Sequence, residues 1–287
     1  MTWRASLSLD YSLQAGRSVL RFAHDGPLRV LHSLYPEGDA TCHNVLVHPP
    51  GGLVGGDTLD IRVTVGSGAH ALLTTPGATR FYRSSGVPAL QQTQLRLEAG
   101  ARMEWLPLET ILYSGCIAKN QLSFDLEPDA ELIGWDITAL GLPHSDQIFT
   151  RGQFCQHIEM PGVWLERGVV DAQDAQLLSS PLGLAGQHCM ASIFFASGRP
   201  IERARRDLTL DSARHVLQEH ALHAQAGASS PNPQVLVLRV LAPQVEPAMD
   251  LLKQVWAAWR QVLWQKEAMS ELVVAIGTSP ALRVNNR

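Results

Sequence analysis

No stretch of this 287-residue chain approaches the roughly 18 consecutive apolar residues that a membrane-crossing helix requires. The opening Met1-Thr2-Trp3-Arg4 lacks the apolar run of a secretory leader, so the expectation is a cytoplasmic protein without membrane contact. An excess of basic charge is missing too. With 23 Lys and Arg against 27 Asp and Glu, the formal charge is -4, and a chain of that balance has no field with which to displace counterions from nucleic acid. Cys42, Cys116, Cys155 and Cys189 form no Cys-x-x-Cys pair; that excludes a zinc knuckle and a small disulfide scaffold and leaves four free thiols. There is no Gly-x-Ser-x-Gly elbow and no His-Glu-x-x-His pair, so no catalytic residue is assigned.

What the chain has is apolar mass, 45% of its residues, arranged by alternation. Leu59, Ile61, Val63 and Val65 share one face and Asp60, Arg62 and Thr64 the other, the pattern of a half-buried strand. Leu122, Phe124 and Leu126 alternate in the same way, and turn-forming clusters punctuate the chain up to about residue 200. Three segments, 63–73, 95–105 and 124–135, share a strand, a tight turn ending in Ala and a second strand. Their turns, Gly68-Ala69, Gly100-Ala101 and Asp129-Ala130, are 32 and 29 residues apart (100 − 68 and 129 − 100), a period that suits units stacked on a shared face. Ordinary hairpins repeated by coincidence are the alternative.

Two helices follow. In 210–224 Leu210, Ala213, Leu217 and Ala221 recur at helical steps until Gly227 and Ser229-Ser230-Pro231-Asn232-Pro233. After an apolar strand at 235–241, Glu246 and Pro247 open a helix carrying Met249, Leu252, Trp256, Trp259 and Leu263 on one stripe. Such a stripe most often closes its own core; docking a partner through Trp256 and Trp259 is the other reading. The predicted fold is mainly β, with stacked sheet layers in a solenoid-like architecture and two α-helices in the C-terminal third. One domain spans residues 1–287, β-rich over 1–200 and helix-strand-helix over 203–287.

The stretch His48-Pro49-Pro50-Gly51-Gly52-Leu53-Val54-Gly55-Gly56-Asp57 has two Gly pairs, which allow sharp turns and close backbone approach. A phosphate loop would continue with Lys and Ser or Thr; Asp57-Thr58 stands there instead, and its carboxylate would repel phosphate. Overlaying the three repeats places Glu104 level with Leu72 and Ile133, an expensive site for a carboxylate unless it is paired, protonated or coordinated. Asp136 and Glu166 complete the acidic set. A β-rich metal-dependent hydrolase using His48, Asp57 and Glu104 in one cleft is the alternative function these residues allow.

Residues 48–57, followed by Thr74-Thr75-Pro76-Gly77-Ala78-Thr79-Arg80-Phe81-Tyr82-Arg83, resemble the UreD (UreH) urease accessory family. Glu104-Trp105-Leu106-Pro107 and Ile133-Gly134-Trp135-Asp136 are similar to its next two signatures, in order. Two segments depart from the family pattern: Leu142-Pro143-His144-Ser145-Asp146-Gln147-Ile148-Phe149 loses an expected Arg and Glu, and Val273-Val274-Ala275-Ile276-Gly277 replaces an Arg-Ile-Trp signature. The resemblance implies a non-enzymatic scaffold that binds UreF, through it the GTPase UreG, and then the urease apoprotein, promoting nickel insertion. It implies no tightly bound cofactor, and nickel only in transit along an internal polar passage. Asp57 and Asp136, at family motif positions, carry the passage role by resemblance; Glu104 and Glu166 are added from their own setting.

Overall fold

The structure, a computed structural model, describes residues 3–268. With strands numbered along the chain, the first sheet contains β1 (Arg4–Gln14), β2 (Arg17–Asp25), β5 (Thr58–Val65), β8 (Ala89–Leu97), β11 (Cys116–Leu126), β14 (Gly152–Met160) and β15 (Trp164–Asp171). Their spatial order is β15-β14-β11-β8-β5-β1-β2. The second sheet contains β3 (Arg29–Val30), β4 (Thr41–Val47), β6 (His70–Thr74), β9 (Arg102–Leu106), β12 (Glu131–Leu142), β16 (Cys189–Ser197), β17 (Ala226–Asn232) and β18 (Val235–Ala242). Its order is β17-β18-β16-β12-β9-β6-β4-β3, with the short β7 (Thr79–Phe81), β10 (Thr110–Leu112) and β13 (Gln147–Ile148) attached around β12. Three helices complete the described chain: α1 (Ala175–Ser179), α2 (Arg203–Glu219) and α3 (Val245–Trp264).

The repeat is real and explains the parallel strands. β5, β8, β11 and β14 run parallel in the first sheet, and β6, β9 and β12 parallel in the second. Each coil therefore climbs one sheet, turns, and continues in the other, as in a β-solenoid. The turn is the same each time: Gly68, Gly100 and Asp129 sit at φ +70, +69 and +65, a left-handed conformation that Gly adopts freely and Asp tolerates. The following Ala69, Ala101 and Ala130 are fully buried because the next coil lies directly over them. Arg102 N donates to Ala69 O and Glu131 N to Ala101 O, both at 2.9 Å, stitching coil to coil. Glu104 is in register with Leu72 on one side and Ile133 on the other, as the overlay predicts.

Apolar side chains from the facing sheets fill one core, with Leu7, Leu9, Ile61, Val63, Leu95, Phe124 and Phe194 among them. A second core lies between the outer face of the second sheet and the two long helices. There Trp135, Ile193, Phe195, Leu236 and Leu238 meet Leu251, Leu252, Val255, Trp256 and Trp259. The stripe of α3 thus closes the protein's own core. Trp256 and Trp259 are 2% and 0% exposed, which corrects the reading of them as partner-binding residues. Each indole N–H is used internally, Trp256 donating to Glu104 Oε2 at 2.6 Å and Trp259 to Thr209 O at 3.1 Å.

The first long helix differs from the sequence expectation at both ends. It begins at Arg203 because the Glu202 carboxylate accepts from Ala204 N and Arg205 N, capping the first turn. The apolar stripe does not extend into that polar first turn, so periodicity missed the start. It ends at Glu219, before Ala221, and 226–232 pairs with β18 as an edge strand instead of forming a terminating loop.

Candidate polar passage between the sheets

Across the apolar core between the sheets runs one polar layer. In the parallel first sheet Gln91, Asn120 and Gln156 are direct register partners on β8, β11 and β14. All three are turned inward and at least nine-tenths buried. Opposite them, on β12, β16 and β18, Asp136, Ser192 and Arg239 are register partners in the second sheet. An unpaired amide buried in such a core costs on the order of 1–3 kcal/mol, so the groups satisfy one another. Thr79 Oγ1 donates to Gln91 Oε1 at 3.4 Å, Gln91 Nε2 to Asn120 Oδ1 at 3.3 Å, and Asn120 Nδ2 to Asp136 Oδ2 at 3.0 Å. Gln156 Nε2 and Thr138 Oγ1 donate to Asp136 Oδ1 at 2.6 and 3.2 Å. Asp136 is the hub.

A cavity lies at each end of this chain. One, of about 160 Å³, is lined by His48, Gly51, 75–80, Gln91 and Trp105. The other, of about 570 Å³, is lined by Asp136, Gln156, Glu166, Ser192 and Arg239 among others. At this second mouth Arg239 Nε lies 3.1 and 3.0 Å from the two Glu166 oxygens, a two-pronged ion pair. Burial raises the Asp136 carboxyl to about 6 against the pull of the Thr138 and Gln156 hydrogen bonds, and the nearby Glu166 charge adds to the rise. At the first mouth the buried His48 Nε2 has no hydrogen-bond partner. Burial lowers the His48 pKa more than the nearby Asp57 raises it, leaving a neutral imidazole at neutral pH.

Of the four acidic residues singled out from the sequence, the structure brings together Asp136 and Glu166. Asp57 is buried at the foot of β5, where its carboxylate accepts from Val54 N at 3.0 Å and Trp3 N at 3.4 Å; it ties the Gly-rich loop to β1. Glu104 lies on the helix side of the second sheet, outside the polar layer. Fully buried, it accepts from His70 Nε2 at 2.9 Å and Trp256 Nε1 at 2.6 Å, with Arg260 Nε 3.3 Å away. Burial alone would raise its pKa; the His70 hydrogen bond and the Arg260 charge outweigh that and hold it below the usual range. Arg260, itself 0% exposed, also donates to Glu37 Oε2 at 2.5 Å, and Glu37 Oε1 is 2.7 Å from His43 Nε2.

The sequence reading missed the amides. Gln91 and Asn120 each precede their turn residue, Gly100 and Asp129, by nine positions (100 − 91 and 129 − 120). That shared offset is the signal that could have found them. Also unforeseen is a cavity of about 190 Å³ lined by Glu109, Glu246, His144 and His188 among others. No three of these or other His, Cys, Asp or Glu side chains converge as a metal cage among the described residues.

A family model described as UreD urease accessory protein matches residues 4–274. The chain is 72% identical over 276 residues to the urease accessory protein UreD of Albidiferax ferrireducens, covering 96% of this chain and all of that one. It is 66% identical to that of Polaromonas naphthalenivorans, covering 93% of this chain and 97% of the relative. It is 48% identical to that of Methylibium petroleiphilum, covering 92% and 96%. The chain belongs to the UreD family.

UreD is an accessory protein of urease and not an enzyme. The cleft required for a hydrolase does not form, because Glu104 faces the helices while His48 lines the cavity between 75–80 and the Gly-rich loop. In this chain the family motifs build structure as well as surface: Trp135 Nε1 donates to Pro107 O at 2.6 Å, locking two signatures together. Residues 142–149 form a short turn and β13, and 273–277 lie outside the described residues. No described helix is long and apolar enough to cross a membrane.

Proposed function

We propose that this protein acts in the cytoplasm as a scaffold in nickel delivery, binding UreF and through it UreG, engaging the urease apoprotein, and passing nickel along its interior. The polar layer centred on Asp136, spanning from the His48 cavity to the Glu166 cavity, carries this reading. Its chemistry suits transit. Carboxylate and amide oxygens hold a divalent ion of intermediate softness less firmly than a Cys-His cage would, so the ion is released as readily as it is taken up. Cys116 and Cys189, each pushed up to about 12 chiefly by burial, stay protonated and are poor ligands. Nickel is cargo, with no resident cofactor implied.

The test is replacement of Asp136 and Glu166 by Ala in cells supplied with limiting nickel, with co-purification of UreF and apo-urease measured in parallel. Reduced nickel content and urease activity with the complex intact is the expected result. Full loading in the double variant would remove the passage, and failure of the wild-type chain to engage UreF would remove the scaffold.

A further inference from the structure

The motif-rich loops at the end of the solenoid opposite the Gly68 turns extend beyond the first mouth of the passage, to which they contribute Gly51 and Arg80. They form one continuous rim. Leu53 N donates to Arg80 O at 2.7 Å and Tyr82 N to Leu53 O at 2.8 Å. Gly56 N donates to Pro88 O, Ser84 N to Gly115 O, and Gly115 N to Arg151 O, at 3.0, 2.9 and 2.6 Å. The Gly pairs explain the closeness: a Cβ on Gly52 would strike the Tyr82 ring, and one on Gly55 would strike Ser84. The loops are therefore interlocked and pre-shaped.

Three features of this rim point the same way. Val54, Tyr82 and Val87 are 45%, 36% and 53% exposed, and the Tyr82 ring is steadied by Tyr113, 4.9 Å away. Arg83 and Arg151 are exposed, and among the described residues neither is within ion-pair distance of a carboxylate, whereas the exposed Arg80 has the Glu109 charge nearby. Segments 51–56, 80–88, 113–115 and 149–151 contain no Asp or Glu, although acidic residues outnumber basic ones in the chain as a whole. A fixed surface that pairs apolar and aromatic groups with unmatched guanidinium charge complements a carboxylate-bearing, partly apolar protein segment.

We infer that this rim is a docking surface for an acidic segment of a protein partner in the urease assembly, with Arg83 and Arg151 pairing its carboxylates around Val54, Tyr82 and Val87. The inference rests on the scaffold reading and is tested apart from it. Arg83→Glu combined with Arg151→Glu, checked for unchanged melting temperature, is titrated against purified UreF, the UreF–UreG complex and urease apoprotein. Arg21→Glu, an exposed site on β2 at the far edge of the first sheet, serves as control. The expected result is at least about a tenfold loss of affinity for one partner in the double variant, wild-type affinity for that partner falling with added salt, and no loss in the control. Unchanged affinities, or an equal loss with Arg21→Glu, would overturn the assignment while leaving the scaffold standing. So would arginine-dependent binding of the wild type to an oligonucleotide or to phosphatidylserine vesicles, which would mark a general polyanion surface. If the wild type engages none of the three partners, the scaffold fails and the inference falls with it.

Discussion

Burial moves the Asp136 carboxyl from 3.8 to about 6, and that shift couples stability to pH. The folded chain holds the proton more tightly than the unfolded chain does, so between roughly pH 4 and 6 the folded state binds more protons and stability falls as pH rises. Above pH 6 the folded protein carries a buried charge at a cost of about 3 kcal/mol. Asp136→Asn is expected to flatten this slope, read as denaturation midpoints from pH 4 to 7; an unchanged slope would assign the pH dependence elsewhere. At the mouth, Glu166 is held by the two-pronged Arg239 pair and shares its cavity with Asp136. On the passage reading, an incoming divalent ion competes with that guanidinium. Arg239→Gln is therefore expected to tighten nickel binding roughly fivefold, the value of about 1 kcal/mol for a half-exposed ion pair, measured by calorimetric titration. Equal or weaker binding would show that Arg239 does not compete.

At the scale of elements, α3 is held to the second sheet by more than apolar area. Arg260 is wholly buried between Glu37 and Glu104. Burial would raise the Glu37 carboxyl, but the His43 hydrogen bond and the Arg260 charge hold it at about 2. Removing the guanidinium would leave the buried Glu104 without its arginine and Glu37 with His43 and, 3.9 Å away, Lys266 as its basic partners. Arg260→Ala is expected to cost about 3–5 kcal/mol in urea denaturation, and Arg260→Met with Glu104→Gln to cost less, because a pair removed together leaves less charge uncompensated. An additive double variant would contradict that coupling. The same elements show what was legible in the sequence. The stripe of α3 and the three turns at Gly68, Gly100 and Asp129 were readable because each repeats at a period set by backbone geometry. The start of α2 was not, since a Glu202 cap and a solvated first turn leave no apolar period. Asp57 and Glu104 are buried carboxylates, but backbone amides and Arg260 account for them; burial cost alone could not say whether a partner was structural. The amide ladder was obscured because Gln and Asn on alternating strands look like solvent-facing residues until the facing sheet is known.

On the proposed reading, partner docking and ion passage fall to different residues, apart from Gly51 and Arg80, which belong both to the rim and to the first mouth. The rim and sheet surfaces are available to partners, while the Gln91-Asn120-Asp136-Gln156 line is at least nine-tenths buried inside the solenoid and open only to the cavities at its two ends. A substitution at its midpoint therefore separates scaffold from passage. Asn120→Leu keeps the branched four-heavy-atom shape with somewhat greater bulk, lies between Ala118 and Leu122 on the inward face of β11, and removes both the acceptor for Gln91 and the donor to Asp136. The two freed groups would cost on the order of 1–3 kcal/mol each if no water reached them, but the cavities at either end lie close to them. A folded protein with an interrupted polar line is the expected product. If the protein only holds the other components in place, this variant should assemble fully and mature urease at the wild-type rate, because none of its outer surface has changed. If ions cross its interior, assembly should be normal while nickel content of urease falls several-fold at limiting metal and recovers as nickel in the medium is raised. Nickel per urease active site, measured on complexes purified at low and high nickel, distinguishes the two, and wild-type loading at low nickel would leave the scaffold role alone.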